Sequence, residues 1–516
     1  MNSVSLAPFQ QVRSDRAAAV RRWSGRILLA FFAFVYGFLF TLFPVGFVPF
    51  LLIPIGILIL FTIWALPGAR TAPTKYIYPL FLGFYVSLIA WPNYLAIALP
   101  GLPWITLIRI FGFPLAIVTM ICVSVSSEFR QQVKDVLAAA PRVWKFLIAF
   151  VIIQFLSLFF SSKPFESLEK GVIAQIYWTS IFFVSCFVFR MPSRVRNWAI
   201  LICVLALFVS ALGYWEWRIQ RVPWAGRIPG FLQIQDENVQ RILAGAKRAA
   251  TGLYRVQSTF TTSLGLAEFL ALSMPFFIHF AVISDKLYLR LAALAAIPFI
   301  FMTIINTNAR LGAVGFFMSF LLYLGIWAVR RWKTVRESVI GPALTLAFPA
   351  ILIGFFIATL FVGRLGRMVW GGGEHQFSTE ARLTQVDNGI PLIFQRPFGY
   401  GVGRGADVLG FTNGEGTLTI DSYYLSIGLE YGIPGFIAYF GMFVVATYYG
   451  YKAVLKSNDR EDGFLVPVVI SLVVFMVIKS IFSQESNHPL AFMMLGMVCA
   501  MLHSQKERLK RSTALV

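Results

Sequence analysis

Long apolar runs alternate with short polar segments along most of the chain. The runs are about 17–25 residues long, which is the length that an α-helix needs to cross the hydrocarbon core of a membrane. The pattern predicts an all-α polytopic membrane protein with about fourteen transmembrane helices. The Lys and Arg residues between the runs place the polar segments alternately inside and outside, with both chain ends inside.

These runs divide the chain into seven parts. We predict a cytoplasmic tail over 1–26, transmembrane helices over 27–214, a first large outer loop over 215–256, transmembrane helices over 257–362, a second large outer loop over 363–433, transmembrane helices over 434–503 and a cytoplasmic tail over 504–516. The first apolar block, 27–67, is too long for a signal-peptide core. Its interruption at Pro44-Val45-Gly46 predicts a tight hairpin of two spans.

Composition supports a membrane protein and excludes an ordinary soluble domain. The 516 residues are 58% hydrophobic and only 13% charged. The net charge of +21 also suits a nucleic-acid partner, but most Lys and Arg residues fall in short inner loops and tails, so membrane orientation explains them. We therefore predict membrane lipids as a partner and no nucleic acid. All four cysteines lie inside apolar runs, which indicates neither a disulfide framework nor a metal site, and we expect no cofactor.

Arginines accumulate in the two large loops that are predicted outside, where positive charge is usually sparse. Arg255 closes the first loop, and Arg382, Arg396 and Arg404 precede or enter a glycine-rich turn in the second. Solvated surface, or attraction to anionic headgroups, would explain any one of them. A guanidinium can also hold a phosphate through two parallel hydrogen bonds. The set as a whole predicts a site for a lipid diphosphate.

Arg310 ends the segment NTNAR at the predicted outer mouth between two spans. With so short a loop, its side chain either extends to the headgroups or faces a water-filled cavity with a partner. The sequence does not decide between these two positions of the Arg310 side chain.

Asp421 opens the segment SYYLSIGLE, whose helical pattern is predicted to stop at Gly432 and Pro434. Aspartate is a favoured N-cap residue, so Asp421 could bond an amide of the first turn. Its carboxylate could instead remove a proton from a sugar hydroxyl. Glu430 lies nine residues further on and would point to the opposite face of an ideal helix, which favours an anchoring role over that of a second catalytic acid.

The layout of these motifs resembles that of the O-antigen ligase and Wzy-type polysaccharide polymerase superfamily. The resemblance runs from Arg255 to Ile437 and rests on YRVQSTFTTSLGLAEFLAL, NTNARLGAVG, EARLTQ, RPFGYGVGRG and DSYYLSIGLEYGIPG. It implies a GT-C-like membrane fold and metal-independent, inverting glycosyl transfer from an undecaprenyl-pyrophosphate glycan. It also implies an active site on the periplasmic face of the bacterial inner membrane.

The resemblance assigns roles residue by residue. Arg310 and Arg382 match arginines that hold the donor pyrophosphate. Asp421 stands where ligases usually carry the histidine of an HN/HS-x-x-L-x-x-x-x-E-x-G pattern, whose end matches Glu430 and Gly432. Our predicted catalytic residues are Asp421, Arg310 and Arg382, and our predicted substrate-binding residues are Arg255, Arg396, Arg404, Glu430 and Tyr423.

The aspartate in place of histidine favours the polymerase branch of this superfamily. The expected activity is polymerisation of lipid-linked repeat units into exopolysaccharide, capsule or O-antigen. Further expected partners are chain-length regulator and flippase proteins. Two alternatives stay open: a ligase that transfers the glycan to lipid A core or another acceptor, and a transporter of polysaccharide or lipid-linked sugar.

Overall fold

A computed structural model describes most of the chain. It covers residues 48–68, 72–99, 103–247, 252–335, 337, 339–363, 366, 376–412, 416–456 and 462–514, with scattered positions between 23 and 38. Within these residues the protein is mostly helical with almost no strands, which confirms the predicted all-α polytopic class. The predicted hairpin at Pro44-Val45-Gly46 lies outside the described residues.

The chain divides into two units. The first comprises 1–66 and 98–104, and contains helix α1, Val48–Trp64. The second comprises 67–97 and 105–516. Its helices are α2 (Ile77–Ala90), α3 (Leu107–Val125), α4 (Ser127–Ala139), α5 (Pro141–Ser157), α6 (Pro164–Ala174), α7 (Ser180–Val188), α8 (Pro192–Ile219), α9 (Glu237–Ala244), α10 (Ser263–Ile283), α11 (Leu287–Asn306), α12 (Arg310–Thr334), α13 (Ile340–Phe361), α14 (Gln376–Gln395), α15 (Gly405–Leu409), α16 (Tyr423–Val454), α17 (Leu465–Lys479) and α18 (His488–Ala514). Two short antiparallel pairs join β1 (Ala96–Ile97) to β2 (Ile105–Thr106), and β3 (Ala246–Lys247) to β4 (Tyr254–Arg255).

Ten helices in the described part of the chain are long and apolar enough to cross a membrane. The apolar helices at Pro54–Trp64 and Thr74–Ala90 are shorter. Helix α18 combines the predicted span at 488–503 with the basic tail that follows it, so its polar end forms part of the same helix. The exact count of about fourteen is therefore not confirmed.

Helices α10 and α17 form the centre of the second unit, and α13 lies on its periphery with few of its residues buried. Helix α10 packs against α11, α12 and α17. Small residues allow the close approach of α10 and α12, because Gly312 faces Ala267 and Gly315 faces Ala271. A side chain larger than glycine at either position would push the two helices apart.

Helix α14 lies within the predicted outer loop 363–433, where the sequence pattern gave no helix. The segment is polar, and its Asp387-Asn388-Gly389 and Pro391 are typical of turns. Tertiary packing against α16 compensates for this weak local preference. The Leu425 side chain fills the space beside Gly389, and Ile393 fills the space beside Gly428.

Helix α16 is broken at the position where the sequence predicts a stop, and it then resumes. Gly432 has φ 67° and ψ −169°, a backbone conformation open essentially to glycine alone. A Cβ atom at this position would lie 1.9 Å from the carbonyl oxygen of Pro397. The predicted stop is thus a kink between a first segment that starts after Asp421 and a second, apolar segment.

The backbone groups released by this break are bonded to the segment before the glycine-rich turn. Pro434 has no N–H, so a regular helix could not satisfy the carbonyl of Glu430. The bonds run from Ile433 N–H to the Pro397 carbonyl at 2.9 Å, from Tyr400 N–H to the Leu429 carbonyl at 2.8 Å, and from Gly401 N–H to the Glu430 carbonyl at 3.0 Å. The break therefore fixes the segment 397–401 against α16.

Candidate functional site

One face of α14 carries the polar groups that meet the predicted catalytic residues. Thr379, Arg382 and Gln385 are spaced three residues apart and so share this face. Arg310 donates a hydrogen bond from Nη2 to the Thr379 hydroxyl at 3.4 Å. The Nε atom of Arg382 lies 3.6 Å from Oδ2 of Asp421, and the Asp421 N–H donates to Oε1 of Gln385 at 2.9 Å. The structure thus brings Arg310, Arg382 and Asp421 to one surface of α14.

Arg255 is fixed at the turn from which Arg310 starts α12. Its Nε donates to the carbonyl of Thr307 at 3.1 Å, and the N–H of Val256 donates to the carbonyl of Asn306 at 3.1 Å. These two bonds place Arg255 at the turn that leads into α12.

A buried carboxylate holds the segment that carries Arg255. Glu216, near the end of α8, accepts hydrogen bonds from the Tyr254 hydroxyl at 2.7 Å and from the Ser258 N–H at 2.6 Å. All three residues are buried. A buried carboxylate is costly unless such donors satisfy it, so Glu216 and this loop depend on each other.

Asp421 is partly buried beside a positive charge, and it does not cap α16. The N-cap residue is Ser422, whose hydroxyl accepts from the Leu425 N–H at 3.4 Å. The side chains of Arg382 and Asp421 are 23% and 33% exposed, so the pair is accessible to a ligand without being fully solvated. Burial raises the pKa of the Asp421 carboxyl, and the charge of Arg382 opposes that rise. Such a carboxyl can accept a proton more readily than a solvated aspartate.

Arg404 and Arg396 are placed differently from these three arginines. Arg404 is buried, and donates to Glu166 Oε2 at 2.6 Å and to Asp407 Oδ2 at 2.7 Å. The ion pair with Glu166 joins the glycine-rich turn to α6, and the pair with Asp407 is local, which indicates that Arg404 holds the turn in place. Arg396 is exposed and lies over the ring of Tyr400 at 4.9 Å. It follows Arg382 by 14 residues, or about 21 Å along a helix.

Glu430 and Tyr423 also face protein groups. Glu430 accepts from the N–H of Gly403 at 2.8 Å and from the hydroxyl of Ser426 at 3.2 Å, which is the anchoring geometry that its helical position favours. Tyr423 is buried, and its ring packs against those of Tyr439 and His488. Glu430 thus joins the glycine-rich turn to α16, and Tyr423 belongs to the buried core next to Asp421.

Sequence reasoning missed several polar residues near the site. Gln385 and Thr379 would have been found from their spacing around Arg382 if α14 had been predicted. Lys170 is exposed and donates to the carbonyl of Gly403 at 3.3 Å. Glu485 is the acid in the short segment SQESN, and its side chain is exposed. The surrounding protein still limits the hydration of its carboxyl group, and this effect together with the charge of Glu430 raises the pKa of Glu485 to about 7. The sequence offered one indication of Glu485, because it is an acidic residue in a short segment between two apolar runs.

The fold and this site together define a class: a polytopic helical membrane protein in which arginines from two helices meet on one helix face, one of them beside a carboxyl group. Residues 293–440 match the family model described as Wzy_C, O-antigen ligase, and the resemblance to the O-antigen ligase and Wzy-type superfamily is confirmed over this region. The matched region includes Arg310, Arg382 and Asp421. It indicates a glycosyltransferase-like activity in O-antigen or polysaccharide assembly, acting on lipid-linked glycans. No curated protein matches the chain.

Proposed function

We propose that the protein polymerises undecaprenyl-pyrophosphate-linked oligosaccharide repeat units at the periplasmic face of the bacterial inner membrane. The observation that carries the proposal is the contact between Arg382 and Asp421, with Arg310 bonded one helical turn away on the same face of α14. It supports a site in which cations hold the leaving group next to the base that activates the acceptor.

The donor would present its diphosphate to Arg310 and Arg382. Guanidinium groups stay charged and hold phosphate oxygens through paired hydrogen bonds. Arg255, fixed beside the start of α12, adds a third positive charge to the same area. Arginines supplied by β4, α12 and α14 would then hold the diphosphate from different sides, which restrains it better than one flexible loop.

The reaction forms one bond and breaks another at the anomeric carbon of the donor. A hydroxyl oxygen of the acceptor glycan attacks that carbon, and the carbon–oxygen bond to the lipid diphosphate breaks. The hydroxyl proton passes to Asp421, and the bonding electrons leave with the diphosphate. Arg310 and Arg382 stabilise the negative charge that develops on the leaving group.

Donor binding would also activate the base. In the structure Arg382 lies beside Asp421 and opposes the rise in its pKa. When the diphosphate engages Arg382, part of that charge is neutralised, so the pKa of Asp421 rises and its carboxylate becomes a stronger base. The acceptor hydroxyl is then activated when a bound donor is in place for it to attack.

A ligase is the second candidate, because the matched family model is described as an O-antigen ligase. Aspartate in place of the ligase histidine supports the polymerase instead. To separate them, full-length protein in lipid nanodiscs is incubated with lipid-linked repeat units alone. A polymerase gives a ladder of product lengths that Asp421→Asn abolishes. A ligase gives no ladder, and forms a single transfer product once lipid A core is added, an outcome that contradicts the proposal.

A transporter is not supported by the position of the buried ion pair. Lys479 lies 2.9 Å from Glu268, and both side chains are fully buried. Carriers place such pairs near the middle of the membrane, at broken helices. Here Glu268 is the sixth residue of α10 and Lys479 is the last residue of α17, so the pair lies towards the helix ends.

A further inference from the structure

A large cavity opens at the far end of the helices from the Arg382–Asp421 pair. Its volume is about 710 Å³. Helix α18 connects the two ends: His488 packs on Tyr423 below Asp421, and His503 lines the cavity. These two histidines are 15 residues apart, or about 22 Å along a helix. The cavity is therefore separate from the site proposed for glycan transfer.

The lining of this cavity is strongly positive. Its charged residues are Lys75, Arg190, Arg194, Arg508, Arg511 and Glu507. Five cations and one acid line the cavity, and Arg508 is also paired with Asp462, which leaves an excess of three positive charges. A neighbouring cavity of about 620 Å³ shares Arg190 and Arg511 and adds Lys506, Lys510 and Asp135, so the excess continues into it.

The direct contacts of Arg190 and Arg194 are to neutral groups. The Nη1 atom of Arg190 donates to the neutral amide oxygen of Gln132 at 2.6 Å. Arg194 lies 4.5 Å over the ring of Tyr78 and donates to the carbonyl of Val188 at 3.5 Å. Both arginines are only partly exposed. Burial lowers the pKa of Arg190, and the charges of Asp135 and Glu128 oppose that shift without cancelling it.

Apolar groups lie beside these cations. Phe187, Met191 and Pro192 line the same cavity, and Met191 is exposed. The cavity opens where α7 and α8 meet, at the ends of two candidate membrane spans. A ligand with an anionic head and an apolar tail would match both kinds of lining, whereas a small soluble anion would use only the charge.

We propose that this cavity binds the phosphate headgroup of an anionic membrane lipid. Basic pockets between transmembrane helices are known sites for such headgroups on the cytoplasmic side, the side on which the charge pattern of the sequence puts this end. Arg190 and Arg194 hold the phosphate, Arg511 at the exposed rim attracts it, and Phe187 and Met191 contact the start of the acyl chains. The proposal does not depend on the reaction proposed above.

Native mass spectrometry of the full-length protein tests this site. The probes are phosphatidylglycerol, phosphatidylcholine and inorganic phosphate. The test variant is the double substitution Arg194→Gln with Arg511→Gln. Arg196→Gln is the matched control, since Arg196 is an exposed arginine two residues beyond Arg194 that does not line either cavity. Thermal unfolding of each variant shows that it is folded.

We expect the wild type to bind phosphatidylglycerol in preference to phosphatidylcholine. The double variant should bind phosphatidylglycerol at least about tenfold more weakly, since it loses two positive charges that attract the phosphate, and the control should change less than about twofold. Equal binding of the two lipids by the wild type would overturn the proposal, as would undiminished binding by the double variant. Displacement of phosphatidylglycerol by inorganic phosphate at equal concentration would show a soluble anion to be the ligand, and so overturn the lipid assignment.

Discussion

Arg310 donates a hydrogen bond to Thr379, the residue three positions before Arg382 on α14. The contact brings arginines from two distant parts of the sequence to one helix face. A lone arginine at a short loop can extend into the headgroups, but this one contacts α14 instead. The contact gives Arg310 a protein partner on α14, and its exposure to a water-filled cavity stays a prediction.

Replacing Arg310 tests its role at the donor diphosphate. Arg310→Ala should lower the rate of ladder formation by about a hundredfold or more, because a charged contact to the leaving group is lost. Thr379→Val removes only the neutral partner and should cost less than about tenfold. Arg241→Ala, at an exposed arginine on α9, is the control and should keep the wild-type rate. Equal losses for Arg310→Ala and Arg241→Ala would mean that only the overall charge of this surface matters.

The pH dependence of the rate tests Asp421 as the base. Asp421 must be deprotonated to accept a proton, so the rate should fall as the pH drops through its pKa, which burial raises. Arg382 opposes this rise, so Arg382→Gln should raise the pKa further and move the acidic limb to higher pH. Initial rates across pH, each scaled to its own maximum, measure the shift. An unmoved limb would show that another group accepts the proton.

The kink in α16 should be intolerant of any side chain. Gly432→Ala places a methyl group in a conformation that only glycine adopts and against the Pro397 carbonyl, so it should lower stability by at least about 2 kcal/mol. Gly354→Ala is the matched control, because Gly354 lies in α13 with no atom within 4 Å of its added Cβ. Thermal unfolding in detergent should show a lower midpoint for the first variant only. Similar midpoints for both would show that the kink tolerates alanine.

The buried pair of Glu268 and Lys479 should behave as one unit. Lys479→Met leaves a buried carboxylate without its cation and should cost about 3–5 kcal/mol. Adding Glu268→Gln removes the uncompensated charge and should restore most of that stability. The double-variant cycle is measured by unfolding midpoints. A double variant that is no more stable than Lys479→Met would show that the two residues act independently.

Glu485 should make stability depend on pH. Its pKa is about 7 in the folded protein against an ordinary value of 4.5, so between these values the folded state holds a proton that the unfolded state releases. Stability should therefore fall as the pH rises from about 4.5 to about 7. Glu485→Gln should remove this part of the slope when midpoints are measured across pH. A slope unchanged by the substitution would assign it to other groups.

The sequence identified the parts of the site that local signals mark. Arg310, Arg382 and Asp421 stand at the ends of apolar runs or in charged motifs, and their residue types indicate phosphate binding and proton transfer without a structure. The apolar runs predicted most helices for the same reason, since a membrane span must satisfy its own backbone.

The sequence could not show contacts that depend on packing. Helix α14 contains turn-forming residues, so its own sequence does not predict a helix. Gly389 of α14 and Gly428 of α16 allow the close packing that stabilises it. Arg404 carries the same charge as Arg382, and its ion pairs with Glu166 and Asp407 depend on the position of α6, which is far away in sequence. Residue type alone could not separate a cation that faces a ligand from one that holds a turn.

The break in α16 has a consequence for how specificity can change over evolution. Main-chain groups join its open carbonyls to Tyr400 and Gly401, and the side chains of Arg404 and Glu430 hold the turn that follows, so the exposed side chains around the site are not part of this attachment. Natural variants could exchange the surface that meets the sugars while keeping the frame intact. The preference for one saccharide over another could then change between natural variants with little loss of stability of the folded protein.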